Sequence, residues 1–359
     1  CILVQVGSRL SVVLYLPAGN YRVNSQIFIP SKSHWTLRGD GPGKTIISGN
    51  ANGQSVFYLG QSPYQAPANA NILSGFTKGS TNVTLSSAIA NGTLIYLDQL
   101  NDGLLVDSHG SGGTGAFTDR PRNGTRNIMQ LVRITSANGT NITFWPPLNW
   151  TFSASLSPQA TVIGTSVRNA GIEDMTITSP AGSDLQYHVF MDSCDSSWLK
   201  NIESPLASHW HLFLYQCLNC EVRDSYVHEA KTYGVNDGYG IEARMCTGLL
   251  IENNILWHLY TSMIVTACNG SVVGYNYVYQ TYNSDLNYAI SAFYGCHGAH
   301  PYMNLWEGNV GNEFHTDWYW GSSSHQTLFR NFFNGVDPDV TQNRKAISLD
   351  SHSQSNNVV

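Results

Sequence analysis

Only 12% of the 359 residues are charged, so ionisable groups that cluster stand out. One cluster is His228-Glu229-Ala230-Lys231-Thr232-Tyr233-Gly234-Val235-Asn236-Asp237-Gly238-Tyr239, which runs straight into Glu242 and Arg244. A second is Cys296-His297-Gly298-Ala299-His300-Pro301 with Glu307. A third is His315-Thr316-Asp317-Trp318-Tyr319-Trp320, followed by His325. Two chemistries fit these residue types. Hydrolysis of a glycosidic bond needs two carboxylates roughly 5–10 Å apart, and Asp192, Glu242 and Asp237 are the available set. Eliminative cleavage of a uronate needs a base at C5 and a cation on the carboxylate, which Arg244 or Lys231 supplies. Histidine exchanges protons near neutral pH, which adds His300 to Glu242, Asp192, Arg244 and Asp237 as catalytic candidates. The paired histidine spacing of a metal site is missing, so no metal centre is expected. The bland alternative is that these imidazoles cap turns and bond to backbone.

The elements that position these groups appear as a repeat. The rows VFMDSCDSSWLKN, LFLYQCLNCEVRD, IEARMCTGLLIEN, MIVTACNGSVVGYN, SAFYGCHGAHPYMNLWEGN and WYWGSSSHQTLFRN each read as an apolar strand, a small turn and a second short strand. The second-strand anchors are Ile172, Leu199, Val222, Ile251, Val273, Trp306 and Phe329, at steps of 27, 23, 29, 22, 33 and 23 residues. Such a period, stretched by loops, predicts a solenoid. Val, Ile, Tyr, Phe, Asn and Gly dominate, so each repeat is a coil of strands. Asp174, Asn201, Asp224, Asn253, Asn254, Asn276, Asn309 and Asn331 follow the anchors, as tight turns or stacked asparagine ladders require. Cys194, Cys217, Cys246 and Cys268 each precede an anchor by five residues, and Cys296 takes the same place in a longer row. Stacked strands lie ~4.8 Å apart, inside the ~4.4–6.8 Å Cα range of a disulfide. The cysteines therefore form either bridges or a column of buried thiols.

Strand alternation sorts the rows into faces. Counting back from the cysteine, Met191, Leu214, Ala243, Val265 and Phe293, and Val189, Leu212, Ile241, Met263 and Ser291, point inward. Asp192, Tyr215, Arg244, Thr266 and Tyr294 point outward, as do Phe190, Phe213, Glu242, Ile264 and Ala292, with His188 and His211 one step further back. Aromatic plates beside fixed polar groups suit a sugar polymer, and a long solenoid face suits an extended one. Phe190, Phe213, Tyr215, Tyr294, His297, His315 and Trp320 are the substrate-binding candidates. Alternatively, the outer aromatics stack coil on coil or pack beneath an insert.

Residues 1–60 read as the first coils. Residues 61–165 break the rhythm as a β-rich insert, and residues 166–359 read as the main coils, continuing past the last residue. Arg120, Arg122 and Arg126 form the densest basic cluster, either a solvated loop or a contact for an acidic sugar or partner. The net charge of −6 argues against nucleic acid. No apolar run reaches the ~20 residues of a membrane span. Low charge with 33 Gly and 19 Tyr fits an extracellular or cell-surface β protein. Sequons at Asn82, Asn91, Asn123, Asn138, Asn141, Asn149 and Asn269 matter if the host glycosylates. The opening CILVQVGSRLSVVLYLP and the final NNVV read as cut ends of a longer chain. Exposed strand edges there would favour a homo-oligomer or end-to-end self-association.

The stretch Leu16-Pro17-Ala18-Gly19-Asn20-Tyr21-Arg22-Val23, with Leu37-Arg38-Gly39 and Thr45-Ile46-Ile47, resembles the opening coils of pectate-lyase-like right-handed parallel β-helix proteins. That superfamily holds polysaccharide lyases, polygalacturonase-like hydrolases, phage depolymerase spikes and non-catalytic surface proteins. The resemblance covers residues 12–60 and 166–359 and implies an all-β right-handed parallel β-helix with a small β-rich insert. The polygalacturonase set of paired Asp, Gly-His-Gly and Arg-Ile-Lys is absent, His297-Gly298 being half of one motif. The calcium-binding Asp set of pectate lyases is absent too, so no cofactor is expected; calcium is the one the resemblance would add. The expected function is a secreted protein that binds and cleaves a polysaccharide along one solenoid face, as a lyase or a glycoside hydrolase. The alternative is a non-catalytic structural or adhesive protein, a fibre or spike subunit.

Overall fold

The computed structural model describes residues 2–6, 11–61, 68–108, 121–164, 166–285, 290–337, 345–350 and 358. Arg120 and most of the C-terminal NNVV lie outside these residues.

The chain winds in coils, each laying one strand on each of three parallel sheets. The first sheet stacks Trp35–Arg38, the start of Ala170–Thr178, the start of Trp198–Ala207, Glu221–Arg223, Leu250–Glu252, Val272–Gly274, Leu305–Glu307 and Thr327–Phe329. The second stacks Thr45–Gly49, the ends of those two long strands, Tyr226–Ala230, Ile255–Leu259, Tyr277–Thr281, Val310–Gly311 and Phe332–Phe333. The third stacks Ile27–Ile29, Ser55–Leu59, Tyr187–Asp192, Trp210–Tyr215, Tyr239–Arg244, Thr261–Thr266, Phe293–Cys296, Phe314–Thr316 and Ile347–Leu349. One apolar core fills the tube, and Ile172, Leu199, Val222, Ile251, Val273 and Trp306 all lie in it. In the last row the inward anchor is Leu328, which pairs with Trp306; Phe329 pairs with Glu307 and is 54% exposed.

The corner between the first and second sheets turns on a single left-handed residue. Asp174, Asn201, Asp224 and Asn253 fill it with φ of 60°, 50°, 55° and 55°, a region Asn and Asp tolerate better than most residues. The remaining asparagines of that set do something else. Asn254, Asn276, Asn309 and Asn331 point inward as a ladder, each Nδ2 bonding the next Oδ1 at 2.9, 3.0 and 3.0 Å. Asn276 also donates to the Ile251 carbonyl at 2.9 Å, and its Oδ1 accepts from the Asn254 backbone N–H at 3.1 Å.

Two other expectations are corrected. Phe293 pairs with Met263 and Tyr294 with Ile264, so counting back from Cys296 slips that row by two. Ala292 is therefore core, and Tyr294 belongs to the Glu242 column. The cause is the longer turn, in which the Cys296 thiol reaches the Gly321 carbonyl at 3.5 Å rather than joining the core column. His188 and His211 face inward, fully buried in a chain with Ser179 and Ser204. Alternation breaks there: His188 and Val189 are buried in succession between the partly exposed Tyr187 and Phe190. The cysteines at 194, 217, 220, 246, 268 and 296 are free. Cys217, Cys246 and Cys268 donate to carbonyls of the preceding coil, those of Met191, Leu214 and Ala243, at 3.4, 3.6 and 3.4 Å. Burial pushes the Cys194 and Cys246 thiols up.

Between the Ser55–Leu59 and Tyr187–Asp192 strands the chain leaves the tube and builds a closed antiparallel barrel. Its strands are Ala70–Ser74, Asn82–Leu85, Leu94–Gln99, Ile128–Asn138, Asn141–Trp145 and Gln159–Val162. The barrel has its own apolar core. Two arginines of the basic cluster are neutralised within it. Arg126 Nη1 bonds the buried Asp98 at 2.7 Å and Arg122 Nε lies 3.8 Å from the same carboxylate. Burial pushes Asp98 up to about 6 against the pull of Arg126 and Arg122. These two arginines are structural pins rather than contacts for an acidic ligand.

Truncating Asn276 to Ala strands several buried partners at once, each costing about 1–3 kcal/mol. The variant should melt several degrees below the parent chain in a thermal scan; an unchanged midpoint would show the ladder to be dispensable.

Candidate functional site

The outer face of the third sheet carries three registered columns. The middle one runs Phe28, Tyr58, Phe190, Phe213, Glu242, Ile264, Tyr294, His315 and Ser348. On one side stand Asp192, Tyr215, Arg244 and Thr266, and on the other Tyr187, Trp210, Tyr239 and Thr261. Alternation sets the directions of the first two columns, and the third shares their face because two residues in succession, at His188–Val189 and His211–Leu212, turn inward.

The barrel covers part of this face. Leu94, Tyr96, Met129, Leu131 and Ile163 pack onto Phe213, Tyr215, Leu218, Met245 and Ala267. Leu131 N–H donates to Thr247 Oγ1 at 2.9 Å, Tyr302 donates to the Met129 carbonyl at 2.8 Å, and Arg133 pairs with Asp195. Phe213 and Tyr215 are each 5% exposed; they are interface rather than platforms for a ligand. Phe190 stays half-buried, its ring 4.7 Å from Tyr58 and 5.0 Å from Tyr187. Asn269 lies in the same seam, buried and donating to the Met129 carbonyl at 2.7 Å, so its sequon offers no site for a glycan.

Beside the barrel opens a cleft of about 480 Å³. Trp210, Tyr239, Glu242, Arg244, His297 and Trp320 line it, with Gln186, His209, Asn236 and Thr266 at its borders. Four sequence candidates thus meet here: Glu242, Arg244, His297 and Trp320. Glu242 is 1% exposed. Its Oε2 accepts from Trp210 Nε1 and its Oε1 from Arg244 Nε, both at 2.5 Å. The Arg244 guanidinium also lies over the Phe213 ring, 5.3 Å from its centre. A guanidinium clamped this way is a fixed donor array in the cleft wall. On the facing turn, His297 Nδ1 bonds Asp317 Oδ2 at 2.5 Å, and Asp317 Oδ1 accepts from the Tyr319 N–H at 3.0 Å. The pair fixes the imidazole's orientation.

Other candidates fall elsewhere. Asp192 is 3% exposed and accepts from Tyr58 Oη at 2.8 Å and Ser193 Oγ at 2.9 Å, which suits an anchor under the aromatic column. Asp237 sits at the rim, paired with His209 Nδ1 at 2.5 Å; His209 Nε2 faces Asp184 at 3.1 Å. His300 is not a site residue. It is fully buried between Ser322 Oγ at 3.0 Å and Ser324 Oγ at 2.8 Å, and burial holds it down at about 3. His315 and Tyr294 lie on the outer column beyond the cleft, their rings 5.5 Å apart. His315 Nε2 is 3.3 Å from Asp350. Lys231 points away, its Nζ bonding Pro180 O and Ser183 O at 2.7 and 2.8 Å. Sequence reasoning gave no role to Trp210, Tyr239, His209 or Asp317. The out-of-step His188 and His211 were the signal for Trp210, since two inward residues in succession leave the preceding residue facing out.

No protein-family model and no curated protein matches the sequence. Solved structures do. The tailspike protein gp49 from Pseudomonas phage LKA1 superposes with a TM-score of 0.60 at 14% identity, over 88% of this chain and 49% of that one. The tailspike gp61 of Pseudomonas phage phi297 gives 0.51 at 14% identity, over 88% and 57%. The fold is a right-handed parallel β-helix. The likeness bears out the resemblance read from the opening coils, at the level of fold. The chain spans about half the length of these two neighbours. Among the described residues of this β-helix no helix is long and apolar enough to cross a membrane, and no group of three or more His, Cys, Asp or Glu could hold a metal ion.

His300 and His188, the latter also held at about 3 by burial, are neutral when folded and protonate near 6.5 when unfolded. Their folded pKa is depressed, so their contribution is fully present above about 6.5 and is lost as pH falls toward 3. The thermal midpoint, scanned from about pH 7 to 4, should drop with pH, and less steeply in His300→Asn. An identical slope in that variant would place the titration elsewhere.

Proposed function

We propose that this chain binds an acidic polysaccharide along the outer face of the third sheet and cleaves it by elimination in the Glu242–Arg244 cleft. One observation carries the reading: a carboxylate-held guanidinium and a carboxylate-held imidazole line the same cleft as the indoles of Trp210 and Trp320. Arg244 attracts the uronate carboxylate and stabilises the charge that builds at C5. His297 takes the C5 proton through Nε2. The C5–H electrons become the C4–C5 double bond, the C4–O bond breaks, and the departing oxygen takes a proton from solvent. Trp210 and Trp320 hold the apolar faces of flanking sugars. Glu242 and Asp317 are positioning residues, since each spends its oxygens on orienting a neighbour. Hydrolysis by two carboxylates is less well supported, because Asp192, Glu242 and Asp237 are each committed to a partner. A polymer of this kind lies outside cells, which puts the protein at the cell exterior.

The test is a panel of polygalacturonate, alginate, xanthan and dextran, read for reducing ends and for the ultraviolet absorbance of unsaturated products. Absorbance with a uronate polymer, falling about 100-fold or more in kcat/KM in Arg244→Ala and His297→Ala, is the expected result. Reducing ends without absorbance would favour hydrolysis. Binding without any product would favour an adhesive protein.

A further inference from the structure

The aromatic lining of the cleft does not stop at its rim. Trp210 meets Tyr239 edge to face at 5.6 Å, and Tyr239 stacks on Tyr260 at 5.8 Å. Tyr233 packs against that cluster and turns the corner onto the second sheet. Its ring lies 5.0 Å from His258, which lies 5.9 Å from Trp257. His228 follows at 6.1 Å, and Tyr226 stacks on it at 4.0 Å. In the next coil the register sets Tyr279 beside Trp257 and Tyr277 beside Ile255. Tyr277 and Tyr279 stand 6.4 Å apart with planes 6° apart. Ile255, Tyr277 and Tyr279 are 49%, 46% and 51% exposed. Scattered exposed aromatics need no explanation, but a contiguous patch does.

We propose that this face is a secondary binding track for the same polysaccharide. The polymer leaves the cleft past Tyr239, rounds the corner at Tyr233 and lies across Trp257, Tyr277 and Tyr279. This rests on the cleft being a polysaccharide site. Two observations favour a sugar over a second copy of the chain. The rings lead out of the cleft rather than forming an isolated patch. Polar and charged groups also interleave with them: Gln280 Oε1 accepts from Trp257 Nε1 at 3.1 Å, and Glu203 lies 3.6 Å from His228 Nε2. The core of a subunit interface is depleted of charge. Rings with hydrogen-bonding groups between them instead match the apolar faces and hydroxyls of pyranose sugars.

The double variant Tyr277→Ala/Tyr279→Ala touches two exposed rings. Affinity electrophoresis through gels holding each of the four panel polymers gives Kd for the long chain. Calorimetry with a tetrasaccharide cut from the best-bound polymer gives Kd at the cleft alone. The variant should bind polymer about tenfold more weakly and the tetrasaccharide unchanged, while Tyr277→Phe/Tyr279→Phe keeps the parent affinity. Unchanged polymer affinity in the alanine variant overturns the track and leaves the cleft reading standing. A lower oligomer mass by light scattering, with unchanged polymer affinity, assigns the face to a second copy. If the parent chain binds none of the four polymers, the cleft reading falls and the track with it.

Discussion

Every coil must offer the next one the same pattern of donors, acceptors and shapes. Strands stack at ~4.8 Å, so whatever points inward at one level meets its counterpart directly above and below. Apolar side chains meet this demand by size alone. Polar ones meet it only if they pair with their own kind. The ladder from Asn254 to Asn331 does this with a side chain that both donates and accepts. The single left-handed residue at Asp174, Asn201, Asp224 and Asn253 meets it at the corner by turning every coil through the same angle. The tube is therefore a scaffold whose outer face is free to vary while its inner face is not.

That freedom is where the proposed site sits. Along the middle column of the third sheet the outward residue changes from aromatic at Phe190 and Phe213 to acidic at Glu242 and back to apolar at Ile264. The barrel then divides the face. It buries the aromatic rings of Phe213 and Tyr215 and leaves Trp210 to form one wall of a cleft. Carboxylates in this region act mainly through their neighbours: Glu242 sets Arg244, Asp317 sets His297, and Asp98 holds Arg122 and Arg126. In a chain so poor in charge, few ionisable groups stand alone, and their pairing decides which of them face a ligand.

The repeat made most of the fold legible. The anchors from Ile172 to Trp306 lie in the core as their spacing requires, and alternation put Glu242 and Arg244 on one outer face. It failed where the chain departs from strict alternation. The longer turn at Cys296 shifted Phe293 by two residues, and the two successive inward residues at His188–Val189 and His211–Leu212 hid both the histidines' burial and the outward turn of Trp210. Two kinds of information were beyond the repeat altogether. Which outer aromatics the barrel covers depends on how the barrel docks against the tube. Which imidazole meets a carboxylate depends on turns: Asp317 stood in view beside His315, yet its partner is His297, one coil away. His300, chosen for its type, is a core group satisfied by two serines.

The column of free cysteines ties the chemistry of sulfur to the mechanics of the tube. Cys217, Cys246 and Cys268 each face the core and hold a carbonyl of the coil before them. A thiol-reactive reagent therefore meets none of them at the surface. It reaches a given sulfur only while the coils on either side are parted. The rate at which each cysteine is modified is in effect a clock for opening at that level of the stack, and the chain carries such clocks at intervals along its length.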